Sequence, residues 1–588
     1  MNRILLTIVA LTLSLAAFIS SAQTQGAAAH THALFDRYTQ DIYRLYPEIA
    51  TFRGDHRYGD RLRDRSPEGT AAEDAYWRAL HAEVKAIDRA ALSRDDHLSV
   101  ELLQRIADDE ALLRRSPGYL SMTVHAGPFP FQGAYVRLFR ASPTATAAQV
   151  EQVIARYDAL GHRIDQEIAN MKRGMAQRWV PPRPVLTEVL SQLDKQLAGS
   201  PDKSAYFEPF TRLGNDIAPA TREALRERAL KSIGASVLPA VRRLRDFVAG
   251  EYLAGAPEEG GLERYPGGKE AYAALVRVHT TTSLTSEEVH KIGLEQVEIL
   301  RGQIAAVMKE VNFTGEFAAF VKFANSDPRF FYTNGADLVA GYREITKRVD
   351  PELPRLFAEL PRTPYGVRAM PDFLGPGAVE FYDSPALDGS RPGWFNANAA
   401  AFATKPKWGM ESIALHEAVP GHHLQSARAY ELKGVPAFRR SASFTAYNEG
   451  WALYAETLGP ELGMYRDPLS KFGFLQNQIW RAVRLVVDTG LHAHGWTRQQ
   501  AIDYMAKETG FGTDKCQSEI DRYISWPAQA LSYMIGQLKF TELRQRASKA
   551  LGARFDLRRF HMVVLDSGML PMNLLEQVVD EWIAVQAR

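Results

Sequence analysis

Apolar residues recur every three or four positions along most of this 588-residue chain, and this period restricts the fold more than any other feature. Such a period places apolar side chains on one face of an α-helix, whereas the alternation typical of a half-buried strand is scarce here. The first such stripe consists of Leu34, Tyr38, Ile42 and Leu45, and Pro47 ends it. The sequence therefore predicts a mainly α protein. The clearest predicted helices span residues 34–45, 71–92, 150–175 and 220–247.

Two stretches rich in Gly and Pro interrupt the helical pattern and indicate how the chain is divided. The first, at 250–268, predicts a boundary between an N-terminal helical lobe of residues 31–260 and a second helical lobe of residues 261–588. A chain of this length exceeds the size at which a single core stops growing. The second stretch, at 361–407, includes the segment SRPGWFN at 390–396 and predicts a small β element before the next helix.

The N-terminus has the features of a secretory signal peptide, with Arg3 before an apolar run at 4–19 and small residues up to Ala22. The run is shorter than the roughly 20 residues that a membrane-spanning helix needs. We therefore predict a signal peptide at 1–22, a disordered start at 23–30, and an exported protein, periplasmic or secreted. No later segment is long and apolar enough to span a bilayer, which predicts no membrane partner after signal cleavage.

Charge and cysteine content narrow the function classes. The chain has 70 basic and 69 acidic residues and a net charge of +1, so nothing predicts binding to nucleic acid. Its one cysteine, Cys516, excludes an intrachain disulfide, so an exported protein of this kind depends on its core for stability. The sequence offers Cys516 no paired base, and we predict that it is structural.

One segment, HEAVPGHHLQ at 416–425, carries residues typical of metal chemistry. In the usual zinc-protease motif, His-Glu-x-x-His, two histidines four apart share one helical face and one ion, and the glutamate acts on water. Here His422 follows His416 by six positions, about 240° of helical rotation, and His423 lies about 10 Å further along the axis than His416. Each nitrogen must lie about 2.0–2.1 Å from zinc, so neither pair can share an ion in a straight helix.

Pro420 and Gly421 disfavour a straight helix through this segment, so the two histidines can still meet at one ion. Pro420 lacks an N–H and its ring clashes with the carbonyl of His416, while Gly421 tolerates backbone angles that other residues avoid. Together they predict a bulge or kink of about two residues that brings His422 to the usual ligand position. We prefer His422 over His423 as the ligand, and the other histidine then supports the site or faces the substrate.

A catalytic zinc site takes three protein ligands and one water, so one more ligand is needed. We choose Glu449, in the predicted helix that contains NEGWA, because its small neighbour Gly450 lets a second helix approach closely. Glu456 lies on the same helical face two turns later and could support the site instead. His492 and His494 remain alternative ligands.

The resemblance of this chain to a known family rests on HEAVPGHHLQ (416–425), NEGWA (448–452) and RYISWPAQA (522–530). These segments resemble the bacterial family called domain of unknown function 885, which commonly has Gly where Ala528 stands. With shorter matches elsewhere, the resemblance covers most of the chain. That family is similar to the gluzincin peptidases, which implies a two-lobed helical fold, a cleft that admits peptides, and Glu449 as the third zinc ligand. A lengthened first motif also occurs in dipeptidyl-peptidase III-like enzymes.

These observations lead to the hypothesis of a zinc-dependent peptidase with a metallopeptidase-like helical fold, Zn²⁺ as cofactor and peptides as substrates. Zn²⁺ held by His416, His422 and Glu449 would lower the pKa of its water toward about 7, and Glu417 would act as general base. Two alternatives stay open: a zinc hydrolase of another ester or amide bond, and a non-catalytic metal- or peptide-binding protein. Glu417 disfavours the second, because a purely structural site has no need of a base beside its ligand.

The oxyanion of such a reaction needs a hydrogen-bond donor besides the metal. Tyr533 is the first candidate, with Tyr523 and Arg522 behind it, and the resemblance implies a tyrosine from a late helix in this role. For each tyrosine, a packed core position is the alternative. The segment 394–396 could also pair with an extended peptide by strand addition. Exo- versus endo-cleavage, the native metal and the oligomeric state stay open.

Overall fold

The computed structural model describes residues 28–125, 131–370, 379–387, 389 and 391–588. The predicted signal peptide, 1–22, and most of the predicted disordered start lie outside these residues. Residues 28–30 already belong to the first helix, so the irregular start predicted for 23–30 does not extend to them.

Helices dominate the described chain, and the mainly α prediction is confirmed. The first half contains α1 (28–45), α2 (Pro47–Phe52), α3 (Pro67–Lys85), α4 (Arg94–Leu113), α5 (Pro117–Ser121), α6 (Phe131–Ala141), α7 (Ala147–Ala176), α8 (Arg183–Leu197), α9 (Pro219–Ser232), α10 (Leu238–Phe247), α11 (Gly268–Thr280) and α12 (Ser286–Glu310). The second half contains α13 (Phe317–Ala324), α14 (Gly335–Val349), α15 (Met410–Glu417), α16 (His422–Glu431), α17 (Ala437–Ser441), α18 (Thr445–Thr457), α19 (Pro468–Ala493), α20 (Arg498–Thr509), α21 (Thr513–Ser525), α22 (Ser532–Leu551), α23 (Leu557–Asp566) and α24 (Met572–Ala587). Among these described helices, none has the length and apolar character needed to cross a membrane.

A three-stranded sheet of β1 (Tyr365–Ala369), β2 (Phe381–Asp383) and β3 (Gly393–Ala397) precedes α15, in the stretch where a small β element was expected. The strand order is β1-β3-β2, with β1 parallel and β2 antiparallel to β3. The central strand β3 is therefore hydrogen-bonded on both sides. This corrects the prediction that segment 394–396 pairs with a substrate, because only β1 and β2 lie at an edge of the described sheet.

Two hydrophobic cores give the protein its two lobes. The first core is formed mainly by α6 to α13 with α19 to α21, and the second by α1 to α4, α14, the sheet, α15 to α18 and α22 to α24. This grouping differs from the predicted division at residue 260, because N-terminal helices pack on C-terminal ones: the rings of Phe35 and Phe438 are 5.3 Å apart. Conversely, α12 packs so closely on α19 that a Cβ at Gly293 would lie 2.7 Å from the Leu485 Cβ. Apolar faces pair regardless of chain position, so a linker alone does not locate the lobes.

The buried imidazole of His492 joins α19 to two other segments. Its Nδ1 accepts a hydrogen bond from the Leu262 N–H (3.0 Å), which leaves Nε2 to donate to the Tyr523 carbonyl (3.1 Å). Burial lowers the pKa of His492 to about 4, which keeps the ring neutral in this arrangement. Both ring nitrogens are occupied, which removes His492 as an alternative metal ligand.

Acid should destabilise the fold through His492. The imidazole titrates near pH 6.5 when unfolded and near 4 when folded, so between these values the unfolded state binds more protons. The free energy of unfolding therefore falls as the pH falls through this window. Gln can accept and donate hydrogen bonds at similar positions but does not titrate. Replacing His492 by Gln should therefore reduce the slope of the free energy of unfolding against pH by up to about 1.4 kcal/mol per pH unit.

Urea unfolding at several pH values between about 4 and 6.5 measures this slope. The exposed His30→Gln variant is the matched control and should keep the wild-type slope. An unchanged slope in His492→Gln would contradict a neutral, buried His492.

Candidate metal centre

The metal motif folds as two helices and not as one bulged helix. α15 ends at Glu417, α16 begins at His422, and the peptide bond before Pro420 is cis. Pro420 cannot extend the hydrogen-bond ladder of α15, and a Cβ at Gly421 would lie 2.0 Å from the His416 carbonyl oxygen. The predicted bulge or kink within one helix is thus corrected to a break between two helices. The break still brings the two histidines together, with the ring centroids of His416 and His422 4.9 Å apart.

Three side chains converge at this break: His416 of α15, His422 of α16 and Glu449 of α18. Their candidate ligand atoms lie within 4.8 Å of one another, and Glu449 Oε2 is 3.7 Å from His416 Nε2 and 3.6 Å from His422 Nε2. Ligands about 2.0–2.1 Å from a tetrahedral zinc lie roughly 3.4 Å apart, so this donor set and spacing fit that ion. Burial alone would raise the pKa of Glu449, but the two histidine side chains beside it hold that pKa well below its usual range.

Glu456, two turns after Glu449 along α18, is fully buried and orients His416. Its Oε1 lies 2.8 Å from His416 Nδ1, and its Oε2 accepts a hydrogen bond of 2.5 Å from Ser412. Arg481 of α19 adds a cation 3.8 Å from the same carboxylate. Because Nδ1–H is committed to Glu456, the lone pair of His416 Nε2 is left to point toward the other two converging side chains.

His423 lies outside this convergence. Its Nδ1 is 2.8 Å from the Tyr382 hydroxyl, and its Nε2 is 3.1 Å from the Thr363 carbonyl oxygen. His423 therefore connects α16 to the sheet, and the geometry favours His422 as the ligand of the pair. His494, another alternative ligand, lies 3.6 Å from Glu287 at the end of α19 and is not brought to the site.

Glu417 is buried next to the three converging side chains. Burial raises its pKa to about 8, Glu449 and Glu380 contribute further, and His422 acts in the opposite direction. A bound cation would favour the ionised carboxylate. Glu417 is thus a carboxyl group that can accept and return a proton near neutral pH.

Close contact between α18 and α22 brings Tyr533 to the same place. A Cβ at Gly450 would lie 2.5 Å from the Cα of Gly536, so neither glycine has room for a side chain. Gly450 therefore lets α22 approach α18, which differs from the predicted approach of the helix that carries His416. Tyr533, in the first turn of α22, stacks on His416 with ring centroids 6.3 Å apart.

Tyr523 and Arg522 belong to a buried hydrogen-bond network around Glu519. The Tyr523 hydroxyl donates to Glu519 (2.5 Å) and accepts from Arg484 Nε (2.8 Å) and Trp480 Nε1 (3.2 Å). Arg522 donates to Glu519 (3.0 Å) and to another buried side chain. The single O–H of Tyr523 is thus already used, whereas Arg522 has further N–H groups besides these two hydrogen bonds. An oxyanion role for either residue stays a prediction.

Two buried arginines of α19, Arg481 and Arg484, were missed at the sequence level. The guanidinium of Arg484 lies 4.5 Å from the ring centre of Tyr533, and Arg481 is next to Glu456. They belong to no motif. The signal that could have revealed them is two cations within the otherwise apolar run at 479–487, since such charges are rarely buried without a partner.

A protein-family model described as bacterial protein of unknown function (DUF885) matches residues 47–579. The chain belongs to this family. The predicted membership in DUF885 is thereby confirmed, and the family description itself gives no activity. No curated protein matches the chain.

Solved structures similar to this DUF885 protein support its fold. A candidate lipoprotein from Colwellia psychrerythraea is 28% identical, with a TM-score of 0.89 over 95% of this chain and 99% of that one. A candidate lipoprotein of unknown function from Shewanella oneidensis is 17% identical, with a TM-score of 0.70 over 93% and 98% of the two chains. PZ peptidase A is 10% identical with a TM-score of 0.34 over 87% and 97%, a similarity too low to carry an argument.

Replacing Glu456 by Gln should weaken zinc binding by about 10–100-fold, because Gln keeps the shape but loses the charge that orients and polarises His416. Competition with a chromophoric chelator measures the affinity. The exposed Glu298→Gln variant on α12 is the control and should bind zinc as the wild type does. Equal affinity in Glu456→Gln and wild type would show that Glu456 does not support a metal ligand.

Proposed function

We propose that this DUF885 protein is a zinc-dependent hydrolase that cleaves peptide bonds. The observation that carries the proposal is the convergence of His416, His422 and Glu449 with Glu417 beside them. Three protein ligands leave a fourth position for water, whereas structural zinc sites usually have four protein ligands. A non-catalytic metal-binding protein would also have no use for a buried carboxyl group next to that fourth position.

Zinc bound by these three side chains would supply a Lewis acid that lowers the pKa of water toward about 7. Glu417 accepts the proton of the attacking water and later returns it to the leaving nitrogen. The Tyr533 hydroxyl donates a hydrogen bond to the carbonyl oxygen as negative charge develops there. Glu456 holds the tautomer of His416 throughout, since its hydrogen bond to Nδ1 does not depend on the substrate.

The sheet supports a peptide as the substrate. β2 is an edge strand of the described sheet, and the ring of its Tyr382 lies 6.4 Å from that of His422. An extended peptide that pairs with the outer edge of β2 would therefore pass beside the metal centre. Activation of water serves ester and other amide bonds equally well, and substrate profiling separates those alternatives.

Glu417→Gln should retain about one zinc per chain, as a three-ligand site predicts, and should lose about 10²–10⁴-fold in peptide hydrolysis. The measurements are metal content by mass spectrometry and cleavage of a mixed peptide library. Glu298→Gln serves as the matched control with full activity. If wild type binds zinc but cleaves no peptide, the result would favour a hydrolase of another ester or amide bond, or a non-catalytic binding protein. Absence of zinc after reconstitution would show that the ligand assignment is wrong.

Tyr533→Phe should lower kcat by about 10²–10³-fold with little change in KM, because the hydroxyl acts only when charge develops on the oxygen. Steady-state kinetics on a peptide that wild type cleaves measures both constants. Tyr504→Phe, on α20 of the first lobe, is the control. Wild-type kcat in Tyr533→Phe would exclude this tyrosine as the oxyanion donor.

A further inference from the structure

The ammonium group of Lys515, in the first turn of α21, has no carboxylate within ion-pair distance among the described residues. It lies over two aromatic rings instead, with Nζ 3.3 Å from the ring centre of Phe511 and 4.5 Å from that of Trp480. Lys515 is exposed to solvent, yet protein surrounds it closely enough that burial lowers its pKa to about 7; Glu519 acts in the opposite direction, and neighbouring cations lower it further. A solvent-exposed group with so much protein around it lines a recess of the surface.

Two buried cations of α19 contact the same tryptophan as Lys515. The guanidinium carbons of Arg484 and Arg481 lie 4.1 Å and 4.4 Å from the Trp480 ring centre. Nη1 of Arg484 and Nε of Arg481 are buried without a hydrogen-bond partner. A fourth cation, Lys405, acts electrostatically on Lys515. The cationic recess is defined by Lys405, Arg481, Arg484 and Lys515.

Carboxylates neutralise the cationic recess only in part. Lys405 pairs with Glu380, and Arg484 shares Glu519 with a second arginine. Arg481 lies 3.8 Å from Glu456. Lys515 forms no ion pair among the described residues, although the charge of Glu519 acts on it. Positive charge that is surrounded by protein and incompletely paired is costly, so an anion that enters the recess gains a strong interaction.

Two series of interactions connect the cationic recess with the metal centre. Tyr533 stacks on His416 and lies 4.5 Å from the guanidinium of Arg484. Lys405 pairs with Glu380, and the charge of Glu380 acts on Glu417. A substrate held at the metal centre can therefore place a neighbouring charged group in the recess.

We propose, on the basis of the peptidase function proposed above, that the cationic recess binds the free C-terminal carboxylate of a peptide that is cleaved near its end. Glu417 returns its proton to the leaving nitrogen, so the C-terminal part of the substrate lies on the Glu417 side of the scissile bond. A carboxylate close behind that bond would be held by Lys515 and the unpartnered nitrogens of Arg481 and Arg484. An acidic side chain offers the same chemistry and is the competing source.

The experiment starts from one peptide that wild type cleaves and compares three forms of it: the free acid, its C-terminal amide, and the amide in which Glu replaces the last residue. The enzymes are zinc-loaded wild type, Lys515→Met, Lys515→Arg and the control Lys507→Met, whose lysine is exposed on α20. Loss of a hydrogen bond to a charged group is worth about 10–100-fold. We therefore expect kcat/KM for the free acid to fall by that factor in Lys515→Met, mainly through KM, and to recover in Lys515→Arg.

Binding gives a second readout that does not depend on turnover. The free acid should bind zinc-loaded Glu417→Gln more tightly than the amide does, by at least about tenfold. Adding Lys515→Met to Glu417→Gln should remove that difference. Lys507→Met should leave both kcat/KM and the preference for the free acid as in wild type.

The remaining outcomes overturn the proposal in distinguishable ways. Equal cleavage of free acid and plain amide by wild type leaves the peptidase function intact and excludes carboxylate recognition by the recess. Cleavage of the Glu-terminated amide as fast as the free acid assigns the recess to an acidic side chain. If wild type cleaves no peptide at all, both the proposed peptidase function and the proposed carboxylate site are contradicted.

Discussion

The buried carboxylate of Glu456 connects helices that belong to the two different cores. It accepts hydrogen bonds from Ser412 and His416 of α15, and Arg481 of α19 lies 3.8 Å from it. α15 belongs to the second core and α19 to the first. A buried charge left without its partners costs several kcal/mol, so each of these groups is held in place by the others. The relative position of the lobes and the orientation of His416 are therefore coupled.

The candidate site takes its parts from both sides of this junction. The converging ligand side chains come from α15, α16 and α18 of the second lobe. The buried arginines that surround Tyr533 come from α19 of the first lobe, and Lys515 comes from α21 beside it. Sites between packed units are common for ligands, because a cleft there can combine groups from two rigid supports. A change in the packing of α12 on α19 would thus reach the site without touching a ligand.

Several features of the site could be read from local sequence because their chemistry is local. His416 and Glu417 are adjacent on one helix, and the adjacency of a ligand and a carboxyl group is itself the signal. Glu449 followed from the need for a third ligand and from the resemblance to DUF885. The break at Pro420 was expected as a bulge or kink, since a proline and a glycine indicate a disruption but not its form. The form depends on where the next helix packs.

Other features depended on which surfaces meet. Gly450 indicated a close approach, but only the fold shows that its neighbour is Gly536 of α22. Tyr523 and Tyr533 are ten residues apart, and for each of them the sequence left a packed core position as the alternative. One hydroxyl is fully used in a buried network and the other ring stacks on His416.

The sequence by itself determined the helical class, the small β element before the metal motif, the family, and the residue types able to bind zinc. Each of these features depends on patterns of residues that are close together in the chain. The tertiary structure decided which helices form each lobe, which of two adjacent histidines turns toward Glu449, and which cations collect beside the metal centre. Those outcomes result from contacts between residues far apart in sequence, and the free energy of such contacts depends on packing that no local pattern records.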